Sequence, residues 1–243
     1  MKALSLILIP VLLPFINLRA AEPPKDVPPD GTARQRLEAI EWCDLWQPNQ
    51  TKTGLPRVLL IGDSITRGYH AAVQKQLAGK ALVDRLASSA FVSDPMLLAE
   101  VAMVLDNTHY DIIHFNNGMH GWQHSEEEYR EAYPIFVETI HKHAPGAALI
   151  CATTTPLKVS AQSKPGDPVS TDERIAARNA IASEIVKPLN IPVDDLFTPM
   201  SGHPELHSDN VHFNAQGISI QGEQVASEIE KLLPSSTPSS PAR

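Results

Sequence analysis

The aliphatic run Val58-Leu59-Leu60-Ile61, closed by Gly62 and followed at once by Asp63-Ser64-Ile65-Thr66-Arg67, constrains this chain more than any other stretch. An apolar run this short, bounded by glycine, reads as a strand buried on both faces. The polar residues after it leave no room for a spacer, so the strand passes directly into a helix. In an open α/β sheet that junction lies at the carboxyl edge, where ligands bind. A serine in the first turn brings a hydroxyl to that edge, among backbone N–H groups that the helix leaves unpaired. Any strand-to-helix turn with a polar cap has the same residues. The motif alone therefore fixes a location, not a function.

The pattern downstream alternates. Strands are predicted over Val58–Gly62, Ala81–Leu86, Asp111–Phe115, Ala148–Ala152 and Ile191–Asp194. Helices are predicted from the first junction through about Leu77, then over Pro95–Asn107, Glu126–His143, Thr171–Leu189 and Asn214–Leu233. Strands separated by helices pair in parallel and carry helices on both faces. The expected fold is α/β: a three-layer α/β/α sandwich on a five-stranded parallel sheet. One domain, 57–233, accounts for it, and 243 residues would be cramped for two. Residues 22–56 read as a proline-rich linker and then a helix over Thr32–Trp46, where Leu37, Ile40 and Leu45 recur among charges. Residues 234–243 are a Ser/Pro/Thr tail with nothing to bury.

The chain opens with Met1-Lys2, an apolar stretch to Leu18 and then Arg19-Ala20-Ala21, the layout of a secretory signal peptide over 1–21. Pro10 and Pro14 and the shortness of the stretch argue against a stable membrane span. A secreted or periplasmic protein is expected. The formal charge of −8, with no cluster of Lys or Arg, makes nucleic acid and anionic membranes poor partners. A monomer is expected. The two cysteines, Cys43 and Cys151, could pair in an oxidising compartment, but Cys151 sits in an apolar run where a buried free thiol is the commoner outcome.

Near the other end stands Asp209-Asn210-Val211-His212. Serine attacks an ester only if a base takes its proton, and His212 is the candidate base. Three residues earlier, within one tight turn, Asp209 can reach an imidazole nitrogen, fix the tautomer and stabilise the imidazolium. Gly62-Asp63-Ser64-Ile65 resembles the first block of the SGNH hydrolases, also called GDSL esterases and lipases, and Asp209-x-x-His212 resembles their last. The resemblance extends from about Val58 to Leu233. It implies a flavodoxin-like sandwich and a Ser64–His212–Asp209 triad that needs no metal or other cofactor. The G-x-S-x-G elbow of the α/β-hydrolases is absent, because Thr66 follows two positions after Ser64.

The same resemblance implies an oxyanion hole made by the serine N–H, a glycine N–H from a second block and an asparagine amide from a third. Here the chain departs. No glycine lies between Gly79 and Gly118, so the second donor must come from Ala87-Ser88-Ser89-Ala90, with Ser89 the first choice. The third block reads Phe115-Asn116-Asn117-Gly118-Met119-His120-Gly121-Trp122, with His120 where asparagine is expected. Either Asn117 donates its amide or His120 has taken over with a ring N–H. Asp63, Met119 and Trp122 are candidate substrate contacts, with Tyr69 and His70 as further cleft walls and Arg67 as a possible anion contact. His203 and His207 have the spacing of a helical metal pair, but Pro204 lies between them and the accompanying glutamate of a H-E-x-x-H arrangement is missing.

The expected function is an exported serine esterase that removes a short acyl group, acetyl first among them, from a carbohydrate or other small-molecule ester. A lysophospholipase or thioesterase with an acyl-chain groove is the nearest alternative. A sugar-binding protein whose catalysis has lapsed is another, suggested by the altered second and third blocks.

Overall fold

The computed structural model describes residues 36–158 and 171–234. The leader, the proline-rich stretch, most of the loop after Lys158 and nearly all of the tail lie outside the described residues.

Among the described residues, six strands form one sheet in the order β1-β3-β2-β4-β5-β6. They are β1 (Cys43–Trp46), β2 (Arg57–Gly62), β3 (Leu82–Ser88), β4 (Ile112–Phe115), β5 (Ala148–Ala152) and β6 (Val193–Asp194). The five expected strands pair in parallel, and β1 adds an antiparallel edge to β3. The helices are α1 (Ser64–Gln76), α2 (Pro95–Asn107), α3 (Glu126–His143), α4 (Asp172–Val186) and α5 (Ala215–Glu230).

Residues alternate between faces along each strand. Leu59, Ile61, Ile113, Phe115, Leu149 and Cys151 pack on one face against α2, α3 and α4. Val58, Leu60, Ile112, Ile150 and Ala152 pack on the other against α1 and α5. Both sets are nearly inaccessible, as two covered faces require. The helices are capped by their own sequence. Ser125 and Glu128 form a reciprocal capping box on α3, whose first turn is acidic and whose last is basic, the arrangement that suits the helix dipole.

The chain leaves β2 toward the α1/α5 face and leaves β4 toward the opposite face. Between these two adjacent strands the connections diverge, which opens a crevice at the carboxyl edge. The Ser64 turn and the Asn116–His124 loop flank it.

The helix expected over Thr32–Trp46 is a correction. Within its described part, Cys43–Trp46 is a strand, and Ile40 is 75% exposed while Leu37 and Leu45 are also exposed. The helical spacing of the apolar residues is incidental. It is the acids between them, Glu38 and Glu41, that find partners in the fold. The cysteines do not pair. Cys43 is exposed and free, and Cys151 is buried and free. Four strand spacings, about 19 Å, separate β1 from β5. Among the described residues no helix is long and apolar enough to cross a membrane.

Candidate active site

Gly62 ends β2 where a side chain could not fit, since a Cβ would overlap the Thr66 hydroxyl. Asp63 is extended and caps α1 by accepting from Ile65 N at 2.8 Å. Ser64 therefore begins the helix at the crevice, with its backbone N–H among the donors a helix start leaves over.

Ser208 N donates to His212 O at 2.9 Å and closes the turn that carries Asp209 and His212. Asn214 caps α5 immediately after, and its amide also holds Glu205 O. Within the turn, Asp209 Oδ1 accepts from Val211 N at 2.8 Å and His212 N at 2.7 Å. Asp209 Oδ2 lies 2.8 Å from His212 Nδ1. His212 Nε2 lies 2.8 Å from Ser64 Oγ. The two backbone N–H groups, followed by His212 itself, overcome a small burial effect and hold the Asp209 carboxyl down to about 2. It is an anion across the ordinary pH range. An anionic carboxylate on Nδ1 leaves Nε2 free to accept the serine proton.

Across the crevice, the 116–124 loop is held from below by Arg178, which is fully buried. Its guanidinium donates to four carbonyls, those of Gly118, His120, Gly121 and His124. It also stacks on Trp122, 4.1 Å from the ring centre. Burial lowers its pKa to about 10, which leaves it charged at neutral pH. Gly121 has φ +71° and a Cβ there would overlap the Phe91 ring, so the loop can turn at this point only with glycine.

His120 Nδ1 lies 3.1 and 3.0 Å from the two carboxylate oxygens of Glu38, and Gly121 N donates to Glu38 Oε1 at 3.0 Å. His120 Nε2 is buried and has no hydrogen-bond partner among the described residues. Burial works against the imidazolium. The hydrogen bond to Glu38 and the charges of Asp63, Glu38 and Glu41 outweigh it, and the His120 pKa is raised. Glu38 mirrors this. Burial favours its neutral acid, but the bond and charge of His120 and the Gly121 N–H prevail, and its pKa is lowered.

Residues 60–219 match the model of the GDSL-like Lipase/Acylhydrolase family. The chain belongs to that family. A search of curated protein sequences finds no match. Among solved structures, the family fold recurs in a lipase/acylhydrolase from Enterococcus faecalis, at 20% identity and a TM-score of 0.57, covering 74% of this chain and 98% of that one. A carbohydrate esterase family 3 protein from Talaromyces cellulolyticus is 16% identical with a TM-score of 0.59, covering 73% and 98%. A carbohydrate acetylesterase from Sinorhizobium meliloti is 14% identical with a TM-score of 0.56, covering 73% and 100%. At these identities the likeness is one of fold.

Several site residues expected from the sequence lie elsewhere or are engaged. The Ser89 N–H donates to Trp42 O at 3.0 Å and its hydroxyl to Glu41, so it has no N–H to offer an oxyanion. The strand β1, absent from the sequence reading, is the reason. Asn117 is buried. Its amide nitrogen donates to Ala90 O at 3.0 Å, and the atom without a partner is its oxygen, an acceptor, which would repel an oxyanion. Met119 packs in a small cluster with Leu157 and Ile175, and Trp122 is stacked on by Arg174 and Arg178. Met119 is buried and Trp122 half-buried, and these contacts hold the loop. Asp63 is 4% exposed and caps α1. Tyr69 and His70 are buried residues of α1 itself, the first bonded to Thr66 and the second facing Val83 O. His203 pairs with Glu205 while His207 stacks on Phe213. No group of three or more His, Cys, Asp or Glu among the described residues could hold a metal.

Glu38, Trp42 and Arg178 were not anticipated. Trp42 lies under the exposed Arg67 guanidinium at 5.1 Å, with its ring edge-on to His120 at 6.2 Å. Each of these partners is separated from the crevice residues by tens of positions, so no local spacing signals them.

Proposed function

We propose that this chain is an exported, monomeric serine esterase that hydrolyses short acyl esters, acetyl foremost, on carbohydrate. Ser64 Oγ attacks the ester carbon while its proton passes to His212 Nε2, and the carbonyl π pair moves onto oxygen. Collapse expels the alkoxide, which takes the proton back from His212. Water, activated by the same imidazole, then releases the acid from the acyl-Ser64 intermediate. Asp209 holds the imidazole and balances its charge. The oxyanion is received by the Ser64 N–H and by His120, the remaining side-chain donor once Asn117 and Ser89 are engaged.

The observation that carries this reading is the unbroken chain of 2.8 Å contacts from Ser64 Oγ through His212 to Asp209, set at the carboxyl edge of the sheet. Export rests on the leader sequence. The short-acyl preference is supported by the open depression beside the serine, where Arg67, His212 and Gln221 stand among Ile65, Phe213 and Ile218. The more apolar groove of the described residues lies far off, between α3, α4 and the start of β5. A surround that mixes charged and amide groups with small apolar patches suits a short acyl group on a sugar better than a long acyl chain. Carbohydrate esterases among the proteins of like fold agree with this.

Acetate release from a panel of acetylated polysaccharides, alongside a series of nitrophenyl esters, tests the proposal. Acetate should be released from at least one polymer, and activity should fall from C2 to C8. Activity rising with chain length would favour the lipid acyl hydrolase instead.

A further inference from the structure

We propose that Glu38 is a positioning residue for catalysis: it holds His120 as an imidazolium whose Nε2–H donates to the oxyanion formed from the substrate carbonyl. This rests on the serine-esterase reading above, and deepens it by assigning the hole a cationic donor and a carboxylate that supports it.

The geometry leaves little choice of protonation state. His120 Nδ1 faces both oxygens of a carboxylate at 3.0–3.1 Å, so Nδ1 carries a hydrogen and donates it. Nε2 then has two options. As a bare lone pair it would be a buried acceptor with nothing to accept from, and it would repel a developing oxyanion. As an N–H it is a buried donor waiting for an acceptor, which the tetrahedral intermediate supplies. Such a charge-assisted donor is stronger than a neutral amide. The proton stays on Nε2 throughout, so the step adds no reactant to the acyl transfer.

The surroundings favour the cation. From the segment before β1, Glu38 contacts the ring and Glu41 adds negative charge, while Trp42 presents an edge. From the start of α1, the charge of Asp63, next to the nucleophile, acts in the same direction. The opposing cations are Arg178, which is occupied by the loop carbonyls including that of His120, and Arg67, which lies over Trp42. Glu38 is itself fixed. Its backbone N–H donates to Glu41 Oε1 at 2.8 Å, and Glu41 Oε2 accepts from Ser89 Oγ at 2.7 Å. The segment 38–42 is thereby tied to the end of β3 and to the 116–124 loop together. An asparagine amide needs no such support, and an imidazole does.

The test combines pH profiles with a direct view of the ring. Wild-type kcat should fall on the alkaline side as His120 loses its proton, and Glu38→Gln should move that limb to lower pH and reduce kcat by ~10–10²-fold with little change in KM. His120→Ala should lose ~10²–10³-fold, the cost of one oxyanion donor. His120→Asn, which restores a neutral donor, should recover part of that loss and abolish the alkaline limb. Adding Glu38→Gln to His120→Asn should then cost under about threefold. An equal penalty for Glu38→Gln in both backgrounds would mean a structural role only and would overturn the proposal. An unshifted alkaline limb would overturn it too. In Ser64→Ala protein labelled with ¹⁵N-histidine, both ring nitrogens of His120 should be protonated at pH 7, and a singly protonated ring would refute the proposal independently of any turnover. Wild-type protein that cleaves no ester would instead sink the esterase reading, while the ring spectrum still reports on the Glu38–His120 pair.

Discussion

The crevice is flanked by two carboxylate–imidazole pairs of nearly equal length, Asp209–His212 at 2.8 Å and Glu38–His120 at 3.0 Å, yet they are built in opposite ways. The first is local and open. Its partners are three residues apart, their side chains are 57% and 46% exposed, and two backbone N–H groups of the same turn hold the carboxylate. The second joins residues 82 positions apart, is mostly buried, and depends on a buried arginine beneath the loop. An open imidazole can exchange protons with an incoming alcohol and with water, as a general base must. A buried one with a fixed anion beside it is suited to keep its proton and offer it as a hydrogen bond. A carboxylate on the Nδ1 of an imidazole can thus serve a proton shuttle or a fixed donor according to burial.

Breaking the first pair should cost most in rate. Asp209→Asn, which keeps size but can present the wrong hydrogen-bonding partner to Nδ1, should lower kcat by about 10⁴-fold, by analogy with other serine triads. Steady-state kinetics check this. A loss under about tenfold would show that backbone geometry alone orients His212. Because the Asp209 carboxyl is held down to about 2, its protonation should add no second proton to the acid limb of activity. A two-proton slope above pH 3 would contradict that.

The second pair should respond to its support. Arg178→Met removes the donors to four carbonyls and should lower kcat by roughly 10²–10³-fold, as if the oxyanion donor were lost. It should also destabilise the fold by about 3 kcal/mol or more, because those carbonyls are left buried. Denaturant unfolding would show it. Glu38→Gln should cost about 1–3 kcal/mol, and only in a defined pH window. His120, with a raised pKa, contributes below its unfolded value and loses that contribution as pH rises through the folded one. Glu38, with a lowered pKa, contributes above its unfolded value and loses it as pH falls through the folded one. The gap between wild type and variant should therefore be widest between about pH 4.5 and 6.5 and narrow on either side. A constant offset would contradict the ion pair. The smallest effect should come from reductant: with Cys43 and Cys151 free and on distant strands, it should leave the melting temperature unchanged.

The contrast also explains what could be read from the sequence. The five parallel strands and the helices that follow them were legible because their signals are periodic and local: aliphatic runs bounded by glycine or proline, and amphipathic stretches between polar caps. Pro95–Asn107 and Glu126–His143 have the bounds that their caps imply. Asp209 and His212 were legible because one turn holds both. The strand β1 was not, since four residues on a sheet edge carry no alternation of their own and take their conformation from β3. That error hid Glu38, and with it the difference between Asn117 and His120, because the partner that distinguishes them comes from the misread segment. The packing partners of Met119 and Trp122 were hidden for a related reason. Apolar residues in a loop can face ligand or packing, and here Met119 packs on Leu157 and Ile175 while Trp122 meets the Arg178 guanidinium.

The account stands on Ser64 being an activated nucleophile, and covalent labelling by a fluorophosphonate followed by mass spectrometry tests that most directly. One adduct per chain, on Ser64, is the predicted result, with labelling abolished in Ser64→Ala and slowed at least ~10³-fold in His212→Ala. Folded protein that stays unlabelled, or that labels equally well without His212, would contradict it.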